Sequence, residues 1–327
     1  MNGIITVSLS PVIDIHYTAR HFSAFKDNIA DERLIFAAGK GMNVSRALHA
    51  VGISAEAHML LGEENASEYL RLASDYCVPI SCMTTDGAVR ENISVNTPEG
   101  ETRICMRGST LSPQILPVFA LQIIRKLSED MAVVFSGSLP SGISQEDFVK
   151  FVLFIKDAVP ETKIILDCPS LTLDSIRQIR PFLIKPNHTE AAFLLDPTGK
   201  KTFNCTDTSS SINAAKELCN TTVSEHCVVS CGPAGAAYVS NSGDFGFVNA
   251  PKINTEIFST VGAGDSMLAG ILYSFLKESS LNIGKPNFKY NLSEAVKWGV
   301  VFGSAACISN GTNPPKSEDI YSLYSTI

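Results

Sequence analysis

The chain has 327 residues, 45% of them hydrophobic, with a net charge of −7 and a pI near 5.4. That length allows one large α/β domain or two smaller ones. No block of Lys or Arg stands out, so neither nucleic acid nor an anionic membrane is expected as the main partner.

A phosphorylated small molecule stays open as a ligand, since it needs only a few well-placed cations. The nine cysteines are scattered, with no CxxC pair and no His spacing that suggests zinc. They read as reduced, mostly buried thiols of a cytoplasmic protein. Ile4–Leu9 is too short for a secretory signal or a membrane span.

Gly3–Leu9 is a β-branched run typical of a buried strand, and Ser10-Pro11 ends it. Asp14 follows, where a polar residue just past a strand end faces ligand in an open α/β sheet. Positions 16–36 lack a helical period and suit short, partly exposed strands. Ala37-Ala-Gly-Lys-Gly-Met-Asn43 opens a helix whose apolar Val44, Ala47, Leu48 and Val51 keep helical spacing. Gly39, Lys40 and Asn43 thereby sit at a helix start, although the P-loop and GxGxxG spacings are both absent.

Ala55–Leu61 predicts a strand, Ala66–Tyr76 a helix and Val78–Met83 another strand. Ala88–Arg107 alternates polar and apolar residues around Pro98-Glu-Gly100, a hairpin carrying Arg90, Arg103 and Arg107. Arginine suits bidentate phosphate contacts. From Ser112 the chain settles into β-α alternation, with helices at 112–127 and 145–158 and strands at 131–135 and 163–166. The next strands, at 182–184 and 228–230, run into Lys185-Pro-Asn187-His-Thr-Glu190 and Ser230-Cys-Gly-Pro-Ala-Gly235. A hairpin at 236–248 and helices near 293–309 and 318–326 complete a three-layer α/β/α fold around a mostly parallel sheet. The segments at 15–36 and 88–107 are insertions between core elements and predict a small β-sheet lid on a single 327-residue domain.

Thr260-Val-Gly-Ala-Gly-Asp265 then leads into a helix of small and apolar residues. The free N–H groups at a helix start attract an anion, and an aspartate spoils that attraction unless it works as a base beside developing charge. Taken alone, the stretch fits equally well a glycine loop with Asp265 as a simple helix cap.

Taken together, these loops resemble the PfkB (ribokinase-like) carbohydrate kinases. Ala38-Gly-Lys-Gly-Met-Asn43 is similar to the family's G-G-K-G-x-N, Asn187-His-Thr-Glu190 to its N-x-x-E, and Thr260–Asp265 to its T-x-G-A-G-D. Ala38 and Ser259 depart from the usual residues. Thr6–Asp14, Arg90-Glu-Asn92 and Ser136-Gly-Ser-Leu-Pro140 resemble the branch whose sugars already carry a phosphate. The resemblance implies ATP-dependent phosphorylation of a ketohexose phosphate to the bisphosphate, with fructose 1-phosphate favoured over tagatose 6-phosphate or fructose 6-phosphate. A bare sugar or nucleoside is the more distant alternative. A silent binding protein or a nicotinamide dehydrogenase is less consistent with the motifs, since the GxGxxG fingerprint is missing.

The resemblance also implies roles. Asp265 would be the base, with the Gly262, Ala263 and Gly264 amides holding the transferring phosphoryl group. Asp14, Gly39, Lys40 and Asn43 would bind sugar hydroxyls. Arg90, Ser138 and Arg103, with Arg107 or Lys26 as further candidates, would bind the substrate phosphate. Lys185, Asn187, Ser230, Gly232, Gly235, Gly262, Gly264 and Asn310 would line ATP, with Gly303 leaving room for adenine. Glu190 and Asn187 would hold Mg²⁺ through water. Open lid edges imply a homodimer through the lid strands.

Overall fold

The computed structural model describes residues 1–199, 203–282 and 288–327. Strand β1 (Ile4–Ser8) is buried throughout, as its apolar run requires. The chain then leaves the body through β2 (Val12–Ala19) and β3 (Ala30–Ala38) and returns along helix α1 (Lys40–His49). Next come β4 (Glu56–Gly62), α2 (Ala66–Ala73), β5 (Ile80–Thr85) and the hairpin β6 (Arg90–Thr97) and β7 (Gly100–Cys105). Alternation follows as α3 (Ile115–Ile124), β8 (Ala132–Ser136), α4 (Gln145–Ala158), β9 (Lys163–Asp167), α5 (Leu173–Ile179), β10 (Leu183–Ile184), α6 (His188–Leu195) and α7 (Thr208–Thr222). The chain closes with β11 (His226–Ser230), β12 (Gly235–Ser240), β13 (Phe245–Asn249), α8 (Ala263–Leu281), α9 (Leu292–Cys307) and α10 (Ser317–Tyr324).

The large sheet has the order β13-β12-β11-β10-β9-β8-β1-β4-β5, parallel from β11 through to β5, with β12 and β13 antiparallel at one edge. Strand alternation feeds two cores. Ile5, Val7, Val133 and Phe135 face α3, α4 and α7 on one side. Ile4, Ala132 and Val134 face α1, α8 and α9 on the other. The fold is therefore the three-layer α/β/α arrangement expected from the alternation. The strand order reverses direction at β1, the position where α/β sheets open a ligand crevice at their carboxyl ends.

The small sheet has the order β3-β2-β6-β7. Its outer pairs are antiparallel, while β2 and β6 run parallel. Its Ile13 and Ile15 face packs on Met59, Leu61 and Tyr69 of the body. Its other face carries Asp14. Asp14 thus lies within β2 and not in a loop past a strand, as its place in the sequence suggested.

Two helices, α5 and α7, escape the sequence reading. Helix α7 opens Thr-Ser-Ser-Ser with Asp207 as its cap, a polar start that carries no apolar period. Helix α8 is buried over most of its first three turns because its backbone lies directly on α9. A Cβ at Gly270 would stand 2.5 Å from the Trp298 carbonyl oxygen, so only glycine permits this approach. That packing fixes the start of α8, where Asp265 stands.

Candidate active site

Helix α8 begins after Gly262, whose φ of 78° is the left-handed turn that glycine takes without strain. No side chain caps this helix. Asp265 is therefore not the simple cap that its position also suggested. Its side chain is buried and accepts a hydrogen bond from Asn43 Nδ2 at 2.8 Å. This contact joins the Gly-Ala-Gly-Asp turn to the first turn of α1. Burial raises the Asp265 pKa to about 6, against the opposing pull of Lys40 and Lys185. A carboxyl poised near neutrality is suited to take a proton.

Asp167, at the end of β9, organises the floor. Lys40 Nζ donates to its Oδ1 at 3.2 Å, and Lys185 Nζ stands 3.5 Å from its Oδ2. Burial of Asp167 would raise its pKa, but the two ammonium groups outweigh burial and hold it below the usual carboxylate value. Burial likewise opposes the charge on Lys40, and Asp167, Asp265 and Glu190 outweigh it, so Lys40 stays protonated. A Cβ at Gly264 would meet Lys185 Nζ at 3.6 Å, which places this cation beside the glycine turn. Reading along the sequence, Asp167 looks only like the end of a strand. Its one signal was an acid at a strand's carboxyl end, where Ser8, Ser136 and Lys185 also stand.

Asn187 and Glu190 form a reciprocal cap on α6, with Asn187 N donating to Glu190 Oε2 and Glu190 N donating to Asn187 Oδ1, each at 2.8 Å. The side-chain oxygen of Asn187 is thus committed to the cap. Glu190, Asp167 and Lys185 line a cavity of about 20 Å³, room for one water. Among the described residues no three His, Cys, Asp or Glu side chains cluster as a metal cage. The carboxylates of Glu190 and Asp167 are the oxygen donors that a hard ion such as Mg²⁺ takes, directly or through water.

The small sheet supplies the opposite wall. Asp14 Oδ1 accepts from Asn92 Nδ2 at 3.1 Å, and Arg90 stands two residues before Asn92 on β6, on the same face. Burial raises the Asp14 pKa against the pull of Arg103 and Arg90. Arg103 lies on that face too, opposite Ser94, but is exposed and lies 4.0 Å from Glu101. Ser138, Gly232 and Asn310 are exposed. Ser230 bridges to Asn187, which brings those two loops side by side. Gly235 is buried at the start of β12, where a Cβ would strike the Val248 carbonyl. Its place is within the sheet, paired with Asn249 of β13. Lys26 and Arg107 are exposed.

Several buried polar atoms in this region have no partner among the described residues: Ser8 Oγ, Asn43 Oδ1, Arg90 Nε and Ser136 Oγ. Buried polar groups are nearly always paired, so a concentration of orphans marks a place built for a ligand. A buried carboxyl, a glycine turn at a helix start and cations beside it make up the kind of arrangement that phosphoryl transfer requires.

Comparison with known proteins agrees. Residues 9–319 match the pfkB family carbohydrate kinases, and the chain belongs to that family. It is 27% identical over 280 residues to 1-phosphofructokinase of Haemophilus influenzae, covering 85% of each chain. Against 1-phosphofructokinase of Escherichia coli K12 it is 29% identical over 285 residues, again covering 85% of each. Phosphofructokinase-2 from Escherichia coli, solved with substrates and products, superposes with a TM-score of 0.85 at 25% identity, over 99% of this chain and 98% of that one. The protein is accordingly a phosphotransferase, a sugar-phosphate kinase using ATP. Among the described residues, no helix is long and apolar enough to cross a membrane.

Proposed function

We propose that the protein transfers the γ-phosphoryl group of ATP to a free hydroxyl of fructose 1-phosphate, giving the bisphosphate. The observation that carries this reading is Asp265, buried at the start of α8, with Asn43 on one oxygen and Lys40, Lys185 and Asp167 beyond it. Asn43 orients the carboxylate and leaves Oδ1 to take the hydroxyl proton as the oxygen attacks phosphorus. The amides of Gly262 and Gly264 receive charge that gathers on the transferring group, whereas the Ala263 amide already donates to the Thr260 carbonyl at 3.3 Å. Lys185, beside that turn, neutralises phosphate oxygens. Ser230, Gly232 and Asn310 line the nucleotide in this reading.

Glu190 and Asp167 would hold Mg²⁺ through water, and the ion when bound offsets charge on the ATP phosphates. Asp14 is a diol acceptor held by Asn92, while Arg90, Ser138 and Arg103 form the phosphate end. The relatives named 1-phosphofructokinase favour fructose 1-phosphate, and the arginines of the small sheet favour a phosphorylated sugar over a bare one.

The small sheet acts as the lid, excluding water from the phosphoryl group. Among the described residues the outer edges of β3 and β7 meet no further strand, and Ile104 and Met106 near its β7 edge are more than half exposed. A second copy covering them makes a homodimer, with nine free cysteines consistent with a reducing, cytoplasmic setting. A coupled ADP-release assay over fructose 1-phosphate, tagatose 6-phosphate and fructose 6-phosphate, with fructose and ribose as controls, tests the substrate. The highest kcat/KM falls to fructose 1-phosphate; a preference for ribose or fructose contradicts the reading.

A further inference from the structure

His16 has no role in the site described so far. It stands two residues after Asp14 on β2, so its side chain lies on the same face of the small sheet, ~7 Å along the strand. In register it pairs with Leu34 of β3 and Ser94 of β6, and Ser94 pairs in turn with Arg103 of β7. His16 and Arg103 therefore share one cross-strand row, next to the row holding Asp14 and Asn92. The residue is only 4% exposed, and Nε2 is buried without a hydrogen-bond partner among the described residues. Its one contact of note is edge-on packing against Phe36, with ring centroids 5.6 Å apart.

A buried imidazole nitrogen without a partner loses its water and gains nothing in return. A merely structural ring at this position would be better served by a phenylalanine, which packs equally well against Phe36. The neighbouring Asp14 and Arg103 already face the sugar phosphate in the reading above, on which this inference rests. We propose that His16 is a substrate-binding residue whose Nε2 hydrogen bonds to an oxygen of the bound sugar phosphate, extending the contact row beyond Asp14. Burial lowers its pKa against the pull of Asp14 and Glu101, so the ring is neutral at physiological pH and adds a directional contact without adding charge.

The test compares His16→Phe, which keeps the ring and its packing, with His16→Gln, which keeps a hydrogen-bonding nitrogen. In steady-state assays His16→Phe raises KM for fructose 1-phosphate about tenfold, the value of one good hydrogen bond, with a smaller effect on kcat and on KM for ATP. His16→Gln recovers most of that loss. An unchanged KM in His16→Phe overturns the assignment, as does an equal rise for both substrates. A second readout needs no turnover: in ¹⁵N-histidine-labelled wild-type protein, the His16 Nε2 resonance moves when fructose 1-phosphate is added without ATP. A stationary resonance at saturating ligand overturns the proposal even if His16→Phe fails to fold. Wild-type enzyme that turns over no phosphorylated ketohexose refutes the kinase substrate itself, an outcome separate from normal turnover with an indifferent His16.

Discussion

Asn43 Nδ2 donates to Asp265 Oδ2 at 2.8 Å, joining residues 222 positions apart in the chain. This bond is the point at which two glycine loops become one site. It favours the charged carboxylate and so opposes the burial that raises its pKa to about 6. A general base must be deprotonated to act, so kcat/KM falls as pH drops through about 6. Asn43→Ala removes a stabilising donor, and the acidic limb of the pH profile moves to higher pH. A limb that stays in place shows that Asp265 is not the group titrating.

The Lys40–Asp167–Lys185 array predicts an asymmetry. Asp167→Ala leaves the buried Lys185 ammonium and the half-buried Lys40 ammonium without their shared carboxylate, and stranding a buried charge in this way typically costs about 3–5 kcal/mol. Thermal denaturation registers this as a large fall in Tm together with lost activity. Asp167→Ala combined with Lys185→Met removes one stranded charge, and Tm recovers in part. A single variant that melts like wild type contradicts the array as a source of stability.

Arg90 separates substrate classes. Its Nε is buried without a partner on the Asp14 face. Arg90→Ala raises KM for fructose 1-phosphate by two orders of magnitude or so, the loss of about 2–3 kcal/mol of charged hydrogen bonding. Any slow turnover of unphosphorylated fructose is nearly unaffected. Equal losses on both sugars place Arg90 away from the phosphate.

His226, at the start of β11, is buried against Phe182 and its pKa is pushed down to about 4 by that burial. The unfolded chain, where histidine titrates near 6.5, then binds more protons between these values. Stability is therefore full above pH 6.5 and is lost as pH falls towards 4, by on the order of 3 kcal/mol. His226→Phe flattens that decline in urea melts taken across the range. An unchanged slope assigns the acid sensitivity elsewhere.

The strand-helix alternation and the glycine loops were legible because each is a local pattern. Thr260–Asp265, Lys40 and Asn43 could be placed at helix starts from neighbouring residues alone. What escaped depends on long-range pairing. Asp167 gains its meaning only from Lys40 and Lys185, which arrive from other elements. The parallel pairing of β2 with β6 joins segments separated by five intervening elements and has no sequence mark. It also moves Asp14 from an expected loop into a strand. Strand β10 has only two residues in register, too few for any period. Glu190 shows the limit from the other side: its motif predicts metal binding, while the geometry shows a capping acid whose carboxylate also borders a water-sized cavity.

Asp265→Asn is the most direct test of the account. Asparagine has the same shape, so the protein folds and binds ATP. It also relieves the cost of a buried charge above pH 6, so Tm is unchanged or higher. The account predicts that kcat for fructose 1-phosphate falls by roughly three orders of magnitude or more, since a general base alone contributes about 10²–10⁴ and the acceptor for the hydroxyl proton is gone. A folded, ATP-binding Asp265→Asn enzyme with kcat near that of wild type contradicts it.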